Sequence, residues 1–387
     1  MLNQQQKMKQ IYLDNAATTK VDNEVVKAMI PYYTEKYGNA SSSHFLGEEA
    51  RRDIEEARAF IAKTLGASYK EVIFTSSGTE SNNFVLKGLF FAHYPEKDHI
   101  IVSKIEHDCI LNACKWLETQ GAKITYLNVD KEGFVDLNQL KNSITDKTIV
   151  ISIIPGNNET GTIQNLAEIG KICKEKNTYF HTDACQSYMK TNLDVNKQNL
   201  DLVTINAHKI HGPKGIGALY IKKGIEITPL LHGGGQEFKL RSATENVPGI
   251  IGFARAVKLI RSSEIKRMVE LRDYLIKELL KIPDSKLNGA TEDRRLCNNI
   301  NIQFRYVEGE ALGSLLNIKG ISISTGSACS SKSVEPSHVL KAMGLNNKEA
   351  ENSIRISLSK FTTKEDIDFT INEIKKAVEK LRKISKI

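Results

Sequence analysis

Between Glu71 and Ile221 the chain alternates short apolar runs with longer helical stretches. The runs are Glu71 to Thr75, His99 to Ser103, Lys123 to Leu127, Thr148 to Ile153, Thr178 to Thr182, Leu202 to Ile205 and Ala218 to Ile221. Each is strand-length and close to continuously apolar, which reads as a buried strand. Such strands alternating with helices predict a mostly parallel sheet covered by helices on both faces. Ligands bind such sheets outside the carboxyl ends of the strands, so the polar residues that follow each run are where chemistry is to be sought.

After Leu202 to Ile205 the chain breaks into Asn206, Ala207, His208, Lys209, Ile210 and His211, then a Gly/Pro-rich turn. A lysine just past a strand end sits in a crevice. There a partly desolvated ammonium loses its proton readily and attacks a carbonyl to form a Schiff base, the way pyridoxal phosphate is held. That chemistry also needs an acid for the pyridine nitrogen and a nest for the phosphate. Asp183 follows the strand at Asn177 to Thr182, and Ser76, Ser77, Gly78, Thr79 and Glu80 lead from another strand into the helical run Ser81 to Phe91. A helix N-terminus with free N–H groups and hydroxyls beside it is an anion site.

The ordered blocks SSGTESNN, IEHD, GNNETG, HTDACQS, NAHKIHGPKGIG, HGGGQEFKLRSATENVPG, STGSACSS and SIRISLSKFTT resemble those of the NifS/IscS cysteine desulfurases, fold-type-I pyridoxal phosphate enzymes of the class V aminotransferase group. The resemblance runs from YLDNAATT at Tyr12 to the last helix. It implies an α/β chain of the pyridoxal-phosphate-dependent transferase fold type I, with a large, mostly parallel seven-stranded sheet domain over residues 12–255. A smaller α/β domain over 256–387, together with residues 1–11, would carry a mobile loop at 322–334.

By the same resemblance, Gly78, Thr79, His107, Asn158, Asp183, Gln186, Asn206, His208, Lys209 and Thr244 bind pyridoxal 5'-phosphate. His107 would stack on the ring and shuttle protons, while Asn158 and Gln186 would reach the ring oxygen. Thr244 would cross to the phosphate of the other subunit of a homodimer. Arg355, with Asn158 and Asn39, would bind the substrate, the arginine clamping its carboxylate through two parallel hydrogen bonds. Three positions depart from the family pattern: Ala40 stands for a proline, Asn206 for a serine or threonine, and Ala243 for a glycine.

Cys329 lies in a run of small hydroxyl residues from Ser322 to Ser333 with no apolar period, which predicts a mobile exposed arm. The resemblance implies that Lys209 removes the α-proton of L-cysteine and that the Cys329 thiolate takes the substrate sulfur as a persulfide, leaving L-alanine. The sulfur would pass to an acceptor protein, an iron–sulfur scaffold or a tRNA thiolase, and with a scaffold as partner Cys329 would be a transient cluster ligand. The tail is shorter than that of the members nearest IscS. A selenocysteine lyase or another class V aminotransferase is the enzymatic alternative. A basic binding protein of degenerate fold is the other, against which the retained Lys209, Asp183, His107 and Cys329 argue.

The 387 residues suffice for one large core and a smaller one. No apolar run approaches the ~18 residues of a membrane span, and the start, MLNQQQKMKQ, lacks a signal-peptide core. A cytoplasmic protein with no membrane contact is expected. The net charge of +8 is spread along helices, so direct nucleic-acid binding is not expected. The six cysteines show no disulfide-scaffold spacing, and the pairs His208/His211, His181/Asp183 and Cys109/Cys114 assemble no four-ligand metal set. GPKGIG lacks the spacing of a nucleotide P-loop. Ile250 to Ile282 reads as one helical stretch linking the lobes, and Asn23 to Tyr37 as a helix ending at Gly38.

Overall fold

The computed structural model describes residues 9–325 and 336–384. Its strands are β1 (Ile11–Tyr12), β2 (Val72–Thr75), β3 (His99–Ser103), β4 (Lys123–Leu127), β5 (Thr148–Ser152), β6 (Tyr179–Asp183), β7 (Leu202–Asn206), β8 (Gly217–Ile221), β9 (Ser285–Leu287), β10 (Asn299–Phe304), β11 (Ile321–Ser322) and β12 (Ser353–Ser357). Seven of them form one sheet in the order β2-β8-β7-β6-β5-β3-β4. From β7 to β4 all neighbours are parallel, while β8 runs antiparallel to both β7 and β2. The β7–β8 link is too short for a helical crossover, so β8 must turn back on β7.

Alternate residues of each strand feed two apolar layers. Ile101, Ile151, Phe180 and Val203 share one core with helices Phe45–Leu65, Leu166–Glu175 and Val247–Lys258. Ile100, Val102, Val150, Leu202 and Leu219 share the other with Gly78–His93 and Asp108–Glu118. Burial on both faces accounts for the near-continuous apolar runs in the sequence.

A third core joins Ile11 and Leu13 to the antiparallel sheet β12-β10-β9 and to helices Ser262–Leu279, Gly309–Ile318 and Lys364–Ile384. β1 pairs in parallel with β11, so the start of the described chain is stitched to its C-terminal part. Arg272 and Arg295, both almost wholly buried, donate to backbone carbonyls at the junction, Arg272 to those of Arg295, Leu296 and Glu292.

Two helical expectations are corrected. The stretch from Ile250 to Ile282 is two helices, Val247–Lys258 and Ser262–Leu279, because Arg261 turns extended and its N–H donates to the Glu264 carboxylate as a cap. Asn23 to Tyr37 breaks at Pro31, which lacks the N–H to continue the ladder, giving Asn23–Met29 and Pro31–Thr34. Among the described residues no helix is long and apolar enough to cross a membrane.

Candidate active site

The carboxyl ends of β6 and β7 lie side by side, with Asp183 paired to Thr204 in the register. Asp183 closes β6, Asn206 closes β7, and Lys209 follows three residues later. Facing them is the N-terminus of helix Gly78–His93, capped by Ser77, whose Oγ accepts the Glu80 N–H. The N–H groups of Gly78 and Thr79 fall in the first turn and so have no helical acceptor. A Cβ on Gly78 would lie 2.6 Å from Cys185 Sγ and 3.6 Å from Asn206 Nδ2, which shows how closely this turn approaches both strand ends. Only glycine fits there without displacing a neighbour.

Asp183 is buried and held by two donors: Asn82 Nδ2 at 2.6 Å to one oxygen and the Cys185 N–H at 3.0 Å to the other. Lys209 Nζ donates to the carbonyls of Ala16 and Ala17, the latter at 2.7 Å, and Gln186 Nε2 donates to the same Ala16 carbonyl at 2.8 Å. The loop after β1 therefore gathers the lysine and the glutamine at one point. His208 Nδ1 lies 3.1 Å from Thr18 Oγ1. Burial, reinforced by the Lys209, Lys214 and Lys190 cations, pushes its imidazole down to about 3, so at neutral pH it is a neutral hydrogen-bonding ring rather than a cation.

His107 caps helix Asp108–Glu118, with Nδ1 accepting the Cys109 N–H at 3.2 Å. In the neutral ring the proton therefore sits on Nε2. Asn158 and Arg355 meet where the C-terminal sheet touches this edge. Arg355 Nη1 donates to the Asn158 carbonyl at 3.3 Å and Nη2 to Asp14 Oδ1 at 2.9 Å. Arg355 thus carries a resident carboxylate partner that sequence reading did not anticipate. Its Nε, Asn158 Oδ1 and Asn206 Oδ1 are buried without partners among the described residues. Unsatisfied buried polar atoms are rare in native proteins, and each of these three has hydrogen-bonding capacity left for a polar ligand.

The remaining expected residues are placed differently. Asn39 and Thr244 lie on exposed loops; Asn39 Oδ1 accepts the Ser41 N–H, and Thr244 makes no side-chain hydrogen bond among the described residues. The loop bearing Thr244 is fixed by two ion pairs, Glu237 with Arg58 and Arg241 with Glu80. Cys329 falls outside the described residues. Among the described residues no cluster of His, Cys, Asp or Glu could hold a metal ion. His181, buried between Ser152 and Thr204 hydroxyls, is a structural residue of the sheet.

Sequence reading missed Asn82, Asp14, Glu80 and Arg241. Asn82 carried a signal, a polar residue among the apolar positions of its helix. The other three carried none, since acids and arginines in polar stretches read as solvated surface.

The sequence profile of the aminotransferase class-V family matches residues 11–369. The chain is 51% identical over 381 residues to cysteine desulfurase IscS of Methanosarcina thermophila, covering 97% of this chain and 94% of that one. The chain belongs to the class-V aminotransferase family, on its cysteine desulfurase branch. Among solved structures, a NifS-like protein superposes on this desulfurase-family chain with a TM-score of 0.90 and 40% identity, covering 96% of it and 100% of the other. SspA, solved in complex with cysteine, superposes with a TM-score of 0.83 at 38% identity, covering 91% and 100%. Both superpositions extend over nearly the whole of this chain, the seven-stranded sheet included.

Proposed function

We infer that this chain is a pyridoxal-phosphate-dependent cysteine desulfurase that converts L-cysteine to L-alanine and receives the sulfur as a persulfide on Cys329. The observation that supports this best is the convergence of Lys209, the Asn82-held Asp183 and the open first turn of helix Gly78–His93 on one edge of the sheet.

The residues present fit the cofactor. Asp183 would hold the pyridine nitrogen, Gln186 and Asn158 the ring oxygen, and His107 the ring face. Gly78, Thr79, Asn206 and His208 would take the phosphate, together with Thr244 from the other subunit of a homodimer. Asn206 keeps an amide donor where relatives use a hydroxyl, so it serves the same task. When bound, pyridoxal phosphate supplies an electron sink for charge developing at the substrate Cα.

The chain's own groups do the rest. Arg355 orients the substrate carboxylate, with Asn158 and Asn39 beside it. Lys209 Nζ takes the α-proton, and the Ala16 and Ala17 carbonyls fix where that amine rests. The Nε2–H of His107 is the proton available to the substrate side. The Cys329 thiolate attacks the substrate sulfur, breaking the C–S bond and forming the S–S bond of the persulfide, while the carbon fragment gains a proton and leaves as alanine. The persulfide then passes to an acceptor protein, an iron–sulfur scaffold or a tRNA thiolase.

The test is anaerobic incubation with pyridoxal phosphate and L-cysteine, following absorbance, alanine and intact mass for the native protein, Lys209→Ala and Cys329→Ala. Alanine together with one added sulfur on the native protein alone is the expected result. A yellow protein that releases no alanine would overturn the assignment.

A further inference from the structure

Cys109 occupies the first turn of helix Asp108–Glu118. Its Sγ lies 3.1 Å from His107 Nδ1 and 3.1 Å from Asn82 Nδ2. Asn82 in turn donates to Asp183 at 2.6 Å. One thiol therefore connects a continuous chain, His107 to Cys109 to Asn82 to Asp183, running through the middle of the site.

The donor and acceptor roles along this chain have one consistent solution. Asn82 Nδ2 has two hydrogens; one goes to the Asp183 carboxylate, leaving the other for the sulfur. The sulfur accepts from Asn82, so its own S–H is left to donate, and the nearby acceptor is His107 Nδ1. That nitrogen also receives the Cys109 N–H, so it is an acceptor twice over and the ring proton is confined to Nε2. Burial pushes the thiol up to about 12, which keeps the S–H in place across the working pH range.

We propose that Cys109 is a positioning residue whose thiol fixes the tautomer and orientation of His107 and, through Asn82, ties that ring to the Asp183 carboxylate. The two side chains assigned to opposite tasks at the cofactor ring are then set as one unit. The inference rests on the function proposed above for what His107 and Asp183 do. It is not a nucleophile's role: the half-buried thiol is held un-ionised among its hydrogen-bond partners, unlike a reactive cysteine.

The test compares the native holoenzyme with Cys109→Ala, Cys109→Ser, Asn82→Ala and the Cys109→Ala/Asn82→Ala pair. Readouts are the pH titration of the cofactor absorption band, kcat and KM for L-cysteine, and thermal midpoint. Cys109→Ala should move the titration midpoint by about half a pH unit or more. It should also lower kcat about tenfold while KM stays within about twofold, as expected for lost positioning of an acid–base group. Cys109→Ser keeps a donor and an acceptor and should recover most of both. Asn82→Ala should shift the band as well, and the double variant should shift it little further, since both changes cut one chain.

If the alanine variant fails to fold, Cys109→Val, which fills the space but neither donates nor accepts, carries the same comparison. A titration and kcat for Cys109→Ala or Cys109→Val within about twofold of the native values would overturn the proposal, because a positioned proton-transfer group is worth more than that. A native protein that develops no Lys209-dependent band would instead overturn the functional reading, and the proposal with it.

Discussion

Arg355 and Asp14 form an ion pair of 2.9 Å at a point where both side chains are largely shielded from water. They are 341 positions apart in the chain, one in β12 and the other just after β1. The pair turns a mobile cation into a fixed fork. Nη2 is held by Asp14 and Nη1 by the Asn158 carbonyl, while the buried Nε has no partner among the described residues.

An ammonium presents its three donors from one nitrogen, and cannot reproduce the planar fork that reaches Asp14 and Asn158 from separate nitrogens and leaves a third for a substrate carboxylate. Arg355→Lys should therefore raise KM for L-cysteine about tenfold or more, with the visible cofactor band unchanged. Initial-rate kinetics check this; a KM within about twofold of native would remove Arg355 from substrate binding. Asp14→Ala should raise KM in the same direction, because the guanidinium loses the partner that sets its plane.

The loop that carries Thr244 contains three consecutive residues in left-handed backbone, Glu237, Phe238 and Lys239 at φ 48°, 57° and 68°. Such strain persists only where surrounding contacts over-determine it. Here the Glu237 carboxylate accepts from Arg58 Nη2 at 3.0 Å and from the Phe74 N–H at 2.8 Å, all buried. Glu237→Ala leaves the Arg58 guanidinium buried with the half-exposed Glu55 as its remaining counter-charge among the described residues, and should destabilise the fold by roughly 3–5 kcal/mol in urea unfolding. A loss below about 1 kcal/mol would mean the pair contributes no more than a surface bridge.

Glu106 is wholly buried, and desolvation pushes its carboxyl up to about 8 from the usual carboxylate range. Its Oε1 accepts from Ser103 and from the Ile154 N–H, and Oε2 has no partner among the described residues. An acid raised in the folded state stays protonated there while the unfolded chain has already ionised, so the native state binds the extra proton between about 4.5 and 8. Its contribution is full below about 4.5, declines as pH rises, and is gone above about 8. Glu106→Gln, which mimics the protonated form, should flatten that decline, narrowing its deficit or exceeding native stability as pH goes from 5 to 8 by on the order of a few kcal/mol. Parallel stability–pH curves for the two proteins would show Glu106 ionised in the fold.

Gly78→Ala places a methyl 2.6 Å from Cys185 Sγ, in the turn assigned to the phosphate. Affinity for pyridoxal phosphate should fall about tenfold, with helix Gly78–His93 otherwise intact. Adding Cys185→Ala opens the space and should recover most of the loss. Absorbance titration of apoprotein measures both, and an unchanged affinity in the single variant would show that the turn tolerates the methyl.

The sheet was legible because strands buried on both faces leave continuous apolar runs: β3 and β4 fall where the runs predict, and β5 to β8 within a residue. Lys209 and Asp183 were legible for the same reason, since each stands at the end of such a run. The antiparallel direction of β8 was not marked by any residue pattern; the shortness of its link to β7 decides it. The break at Arg261 was hidden because both flanking helices present apolar residues at the same spacing.

What the sequence by itself determined is local: which segments are strands, where a lysine, an acid and a helix start must stand relative to them, and which family order they follow. What only the tertiary structure decided is pairwise and long-range. Asn82 holds Asp183 across 101 positions, Ala16 receives Lys209 across 193, and Asp14 meets Arg355 across 341. Periodicity reports which face of its own element a residue occupies, and it carries no record of what packs against that face. A buried carboxylate and a solvated one look alike in a chain until folding removes the water from one of them.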